Sequence, residues 1–187
     1  MRIEDAARPP RIHGLPPIQN PSARILVLGS MPGEASLRAG QYYAHPQNLF
    51  WKIVGEVLGY APPVRASHAG LREAPYAQRV TFLKHHGIAL WDVVASCHRP
   101  SSLDADIDPS TLVANDFAAF FAKHRRIERV LFNGATAEAS FRRHAAMNLA
   151  ARGIDARRMP STSPANASIP YARKLEAWRM ALNTGGP

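Results

Sequence analysis

RILVLGS (Arg24–Ser30), running into MPG (Met31–Gly33), is the stretch that decides the fold. Four apolar residues run unbroken to a glycine, so both faces of the segment favour burial, as in an inner strand of a parallel sheet. An apolar strand feeding a Gly/Pro turn is also how many nucleotide sites begin. Here neither Gly-x-Gly-x-x-Gly nor Gly-x-x-x-x-Gly-Lys-Ser/Thr follows. GQYYAHPQNLFW (Gly40–Trp51) follows instead, which gathers flat rings around a single asparagine, Asn48.

Working outward, IALWDVV (Ile88–Val94) and RVLFNG (Arg129–Gly134) repeat the buried-strand pattern, and DARRMPSTSPANA (from Asp155) offers a fourth, short strand and then a loop. Between them helical spacing predicts helices over Asn48–Gly59, Tyr76–Gly87, Pro109–His124 (with Pro near its first turn), from Ala135, and over Tyr171–Leu182. CHRPSSLDADIDPS, from Cys97, reads as a long polar loop. Alternation of strands and helices predicts an α/β fold with a parallel sheet covered on both faces. No repeat or shift of composition divides the chain. The expected organisation is a proline-punctuated, irregular arm over residues 1–23 and a single domain over residues 24–187.

The totals narrow the classes. A chain of 187 residues suffices for one real core. No apolar run approaches a membrane span, and the N-terminal segment has no apolar signal core, so the expected compartment is the cytoplasm. Cys97 is the only cysteine, which excludes internal disulfides, cysteine-ligated iron–sulfur clusters and Cys-rich zinc sites. A net charge of +9 favours a polyanion partner, nucleic acid first; an Arg-rich, Ala-rich genome accounts for the same bias without any partner.

In an open parallel sheet, ligands sit at the carboxyl ends of the strands. Those ends carry Gly29-Ser30-Met31-Pro32-Gly33, then Asp92, then Asn133, then Ser161-Thr162-Ser163-Pro164-Ala165-Asn166. Each also fits an ordinary role: a loop cap for Asp92, a helix cap for Asn133, a plain turn for Ser-Thr-Ser. Their convergence on one rim points to a site. Tyr42, Tyr43, Phe50 and Trp51 suit a nucleobase, whose π-face aromatic side chains hold. Trp51 reads as core, and Phe50, near a helix start, as the stacking ring.

LVLGSMPG, YYAHPQNLFW, ALWDVVASCHRPSSLDADI, VLFNG and PSTSPANAS together resemble the uracil-DNA glycosylase superfamily, and most of all its hypoxanthine-DNA glycosylase branch, related to the mismatch-specific uracil glycosylases. The likeness covers residues 24–182 in order. It implies a three-layer α/β/α fold with a four-stranded, mostly parallel sheet, and metal-independent hydrolysis of the N-glycosidic bond of a deaminated base, with no cofactor. The single cysteine excludes the iron–sulfur branches. Many relatives hold water with an Asn or Asp at the third position of the first turn. Met31 stands there, and a thioether is too weak an acceptor. The resemblance therefore moves the catalytic, water-positioning role to Asn48. It implies base contacts from Gly29, Ser30, Met31, Tyr43, Phe50, Asp92 and Asn133, and DNA-backbone contacts from the Ser161–Asn166 loop with Arg157, Arg158 and Arg173 beside it.

Read chemically, the flipped base would stack on Phe50, and Asp92, taken as ionised, would accept N1–H of hypoxanthine or N3–H of uracil. Asn133 is the candidate donor to the base oxygen. Lys52 reads as a solvated helix lysine and not as a Schiff-base nucleophile, so no lyase activity is expected. His45, His68, His85, His86, His98 and His144 lack metal-ligand spacing, and His45 shapes its turn, with contact to the substrate as the alternative. The expected partner is double-stranded DNA with deaminated bases, single-stranded DNA being a second candidate, and the expected state a monomer. Hypoxanthine, uracil and xanthine stay unranked. Two rivals remain: a non-catalytic nucleic-acid-binding module on the same fold, and a nucleoside hydrolase or nucleotide-binding α/β protein, which would want a carboxylate cluster.

Overall fold

In chain order the strands are β1 (Arg11–His13), β2 (Ile25–Gly29), β3 (Ile88–Asp92), β4 (Val94–His98), β5 (Val113–Ala114), β6 (Arg129–Asn133) and β7 (Asp155–Met159). The helices are α1 (Glu34–Ala39), α2 (Phe50–Val57), α3 (Tyr76–His85), α4 (Phe117–Lys123), α5 (Ala135–His144) and α6 (Tyr171–Leu182). This computed structural model describes residues 11–67, 69–145 and 147–182, so His68, the first ten residues of the expected arm and residues 183–187 lie outside the described residues.

The main sheet has the order β3-β2-β6-β7, with every neighbouring pair parallel. All five residues of β2 are buried, because helices cover both faces of this inner strand. Side chains alternate across it. Ile25 and Val27 join Trp51, Ile53, Val54, Leu83 and Trp178, from α2, α3 and α6. Leu26 and Leu28 join Phe117, Phe120, Phe121 and Phe141, from α4 and α5. These are the three layers expected. Each large side chain buried this way contributes about 1.5–3 kcal/mol, so the two flanking layers dominate the stability. Strand β7 lies at the sheet edge with Arg157 and Arg158 exposed, charges that discourage further strand pairing. Among the described residues no helix is long and apolar enough to cross a membrane.

Three expectations differ from the structure. Residues 11–23 are not irregular throughout: β1 pairs antiparallel with β4, Ile18 bridges Leu90, and Ile18 and Ala23 are buried. The prolines punctuate an extended segment whose backbone groups are met by strands far away in sequence. The polar segment from Cys97 begins inside β4 and then turns through two short 3-10 helices, Asp104–Asp106 and Pro109–Thr111. The helix expected from Pro109 starts only at Phe117, where the Asp116 carboxylate accepts the Ala119 amide at 2.9 Å. Val113 and Ala114 pair instead with β4, completing a second sheet of order β1-β4-β5. A local helical pattern lost to strand pairing from a distance.

Candidate active site

The four parallel strands end side by side, and a cleft of about 1040 Å³ opens over those ends. Its wall is built from the first turn, the ring segment, Asp92, the Ser102–Ala105 turn, the start of α5 and the loop after β7. Of the residues singled out from sequence, Gly29, Ser30, Met31, Tyr43, Asn48, Asp92, Asn133, Ser161, Ser163, Pro164, Ala165 and Asn166 line it.

Phe50 and Thr162 do not. Phe50 has no exposed surface; its ring packs edge-on against Trp51 and Trp178 and backs Tyr43, with centroids 4.2 Å apart. As the first residue of α2 it points down the helix face into the core, so the ring that reaches the cleft is Tyr43. Thr162 is likewise fully buried, and its role is internal. Its amide donates to Asn133 Oδ1 and its hydroxyl accepts from Asn133 Nδ2, both at 2.9 Å. Asn133 thus splints the loop to the end of β6, and its carboxamide is engaged on both atoms rather than held ready for a base. Lys174 completes the splint. This side chain is buried, and its ammonium donates to the carbonyls of Ser161 and Asn166, each at 2.7 Å. Trp178 Nε1 donates to the Pro160 carbonyl at 3.1 Å. Sequence reading passed over Lys174 because a lysine in an amphipathic helix ordinarily reads as solvated.

Tyr43 is the one described non-glycine residue with positive φ, at 54°. Its neighbours hold that conformation in place. Tyr42 N donates to Tyr76 Oη, Trp51 Nε1 donates to the Tyr42 carbonyl, and Ala44 N donates to Ser36 Oγ. The Tyr42 hydroxyl reaches the Leu15 carbonyl, tying in the segment before β2. The Tyr43 hydroxyl is buried facing Asn133, without a hydrogen bond of good geometry, and burial pushes its pKa up. His45 does shape its turn, Nδ1 accepting from Gln47 N at 3.2 Å. Asn48 Oδ1 accepts from Phe50 N at 2.9 Å, an Asx turn just ahead of Leu49, the N-cap residue, that meets the first amide of α2 and fixes the carboxamide. The Leu49 amide donates to the Thr162 carbonyl, joining the two cleft walls.

Parallel register sets Asp92 directly beside Gly29. A Cβ at Gly29 would lie 2.3 Å from Asp92 Oδ1 and 3.3 Å from Tyr43 Oη, so only glycine lets the carboxyl and the phenol approach the strand end. Asp92 is 3% exposed and its Oδ2 has no hydrogen-bond partner among the described residues. Burial, reinforced by the charge of Asp104 and opposed by Arg99, pushes its pKa up to about 8. The carboxyl is therefore protonated at neutral pH, not ionised as the sequence reading assumed, and presents one donor and one acceptor. Met31 is buried with Val94, Cys97 and Ile107, and its thioether belongs to that small core. Among the described residues no group of three or more His, Cys, Asp and Glu side chains is placed to hold a metal ion.

A family model for the uracil DNA glycosylase superfamily matches residues 16–183. The chain belongs to the uracil DNA glycosylase superfamily. A relative from Methanosarcina acetivorans named hypoxanthine DNA glycosylase is 31% identical over 163 residues, which is 87% of this chain and 93% of the relative. A hypoxanthine DNA glycosylase from Methanosarcina barkeri is 35% identical over 121 residues, covering 65% of this chain and 70% of its own. A solution NMR structure of a candidate uracil DNA glycosylase from M. acetivorans superposes with a TM-score of 0.74 at 30% identity, covering 92% of this chain and 96% of the other. Within the superfamily's fold, the cleft lies at the carboxyl edge of the sheet, as expected from the strand ends.

Proposed function

We propose that this superfamily member is a DNA glycosylase that hydrolyses the N-glycosidic bond of deoxyinosine, releasing hypoxanthine, with uracil and xanthine as lesser candidates. The observation that carries the reading is a neutral Asp92, buried at the cleft floor with an unmet oxygen. Hypoxanthine presents N1–H beside O6. A protonated carboxyl complements that edge with two hydrogen bonds, its carbonyl accepting N1–H and its hydroxyl donating to O6. Uracil presents the same pair as N3–H and O4. The base reaches this depth only when flipped out of the duplex. Tyr43, backed by Phe50, then lies where a ring can stack on it.

Asn48 keeps its Oδ1 on the Phe50 amide, which leaves its NH2 to orient a water at the sugar. Ser161, Ser163 and Asn166 form the rim that meets phosphate oxygens, with Arg158 beside them. Among the described residues no lysine lines the cleft, and Lys52 instead rests over the Tyr171 ring at 4.3 Å, which supports hydrolysis without strand cleavage. The enzyme acts as a cytoplasmic monomer, without metal, on duplex DNA.

The test is a duplex carrying one deoxyinosine, with the labelled strand developed by alkali. Abasic sites should form in EDTA as well as without it, strand breaks should need the alkali, and borohydride should trap no covalent complex. Absence of abasic sites on deoxyinosine, uracil and xanthine duplexes, with DNA binding retained, favours the second reading, a non-catalytic DNA-binding module. The buried Met31 at the first turn is the observation that keeps it in play.

A further inference from the structure

An amide orients water but does not take its proton, and Met31 supplies no acceptor. The segment after β4 does. Residues 99–104 dock along the first turn by three contacts that straddle Met31. Ser30 Oγ donates to Asp104 Oδ2 at 2.5 Å, Arg99 Nη2 donates to the Pro32 carbonyl at 2.6 Å, and Glu34 N donates to Ser102 Oγ at 2.9 Å. Among the described residues three carboxylic side chains line the cleft: Glu34, Asp92 and Asp104. Glu34 is 71% exposed and paired with Arg38, and Asp92 is neutral at the floor. Of the three, Asp104 is the one within ion-pair distance of a buried cation: Arg99, which also acts on Asp92 from farther away, has a side chain 1% exposed, and its Nη1 stands 3.8 Å from Asp104 Oδ1. That separation is too long for a hydrogen bond, and Arg99 Nη1 has no partner of that kind among the described residues. Oδ1 is thus held near a positive charge with lone pairs to spare.

From this geometry we infer that Asp104 is the proton acceptor for the attacking water, standing in for the polar side chain missing at Met31. The inference rests on the glycosylase reading above. In the step, the water oxygen bonds to C1′ while the C1′–N9 bond breaks and its electron pair leaves on hypoxanthine. The water proton passes to Asp104. The hypoxanthine anion takes a proton from solvent, and Asp104 returns its own to solvent, so the net reaction consumes one water. Ser30 and Arg99 are positioning residues. They favour the charged carboxylate, while burial, the larger effect, pushes its pKa up. Other titratable groups facing it are Asp92 on β3, Cys97 on β4 and Tyr43 in the ring segment, with Glu34, His45 and Arg158 elsewhere on the wall.

The test is single-turnover release of hypoxanthine from a deoxyinosine duplex between pH 5 and 9, for wild type, Asp104→Asn and Ser30→Ala. Asp104→Asn should slow release by about 100-fold or more, in the range of general-base catalysis. Affinity for product DNA should hold, and the acidic limb of the rate profile should vanish. In wild type that limb lies above the ordinary carboxylate range. Ser30→Ala removes a hydrogen bond that favours the charged form, so it should move the limb to higher pH. This second variant keeps the test open if Asp104→Asn fails to fold. Release by Asp104→Asn within threefold of wild type, or an unmoved limb in Ser30→Ala, overturns the assignment and leaves the glycosylase reading standing. No release by wild type overturns both.

Discussion

Replacing Asp92 with asparagine separates the stability of this fold from its chemistry. The carboxyl has a pKa of about 8 in the native state against an ordinary value of 3.8. Below about pH 4 it is neutral whether folded or unfolded. Between about 4 and 8 the unfolded chain ionises it and the native chain does not, so the native state binds the extra proton and stability falls as pH rises. At pH 7 that interval spans about three units at about 1.4 kcal/mol each, an upper bound of about 4 kcal/mol withheld from the wild-type fold. A carboxamide at this position has no charge to desolvate. Asp92→Asn should therefore be more stable than wild type at pH 7 by up to that amount, with the gap closing toward pH 4.5. Urea unfolding at pH 4.5, 6, 7 and 8 measures it. The carboxamide still sets a donor beside an acceptor, so the variant should excise hypoxanthine without the decline expected of wild type as pH rises through about 8, whereas Asp92→Ala should lose excision while retaining affinity for undamaged DNA. A stability gap that stays constant from pH 4.5 to 8, or a variant less stable than wild type at every pH, would refute the account of a neutral native carboxyl.

Asn48→Ala should lower single-turnover excision at least 100-fold and cost about 1 kcal/mol through the lost hydrogen bond to the first amide of α2, whereas Asn48→Ser should recover the stability but not the rate; near wild-type excision by the serine variant would reduce Asn48 to a turn residue. Lys174→Met leaves the carbonyls of Ser161 and Asn166 unmet in a buried setting, so it should cost about 3 kcal/mol and raise proteolytic cutting between residues 160 and 170; an unchanged unfolding midpoint counts against the splint. DNA affinity should fall with salt by a slope of about 0.9 in log K per phosphate contacted, measured by fluorescence anisotropy from 50 to 300 mM salt; a flat line would mean that the net charge of +9 is not gathered at the interface.

Arg24–Gly33 alone announced an inner parallel strand ending in a tight turn, because four unbroken apolar residues satisfy burial on both faces and glycine then frees the chain. The same logic placed Asp92, Asn133 and the Ser161–Asn166 loop at one edge, since residues at the carboxyl ends of parallel strands converge whatever the connections between them. Ring composition also pointed to an aromatic cleft wall, but not to which ring reaches it. Phe50 and Tyr43 differ in the direction their backbones impose, one entering a helix whose face is core, the other held at a φ of 54° by hydrogen bonds from three separate segments. No local pattern encodes that difference. The same limit hid β1, the pairing of Val113 and Ala114, the buried Lys174 and the docking of Asp104 across Met31, all of which depend on partners far away in the chain. The protonation of Asp92 was also beyond reach, because it is set by burial and by the charges of Asp104 and Arg99, which only the folded chain brings to one strand end.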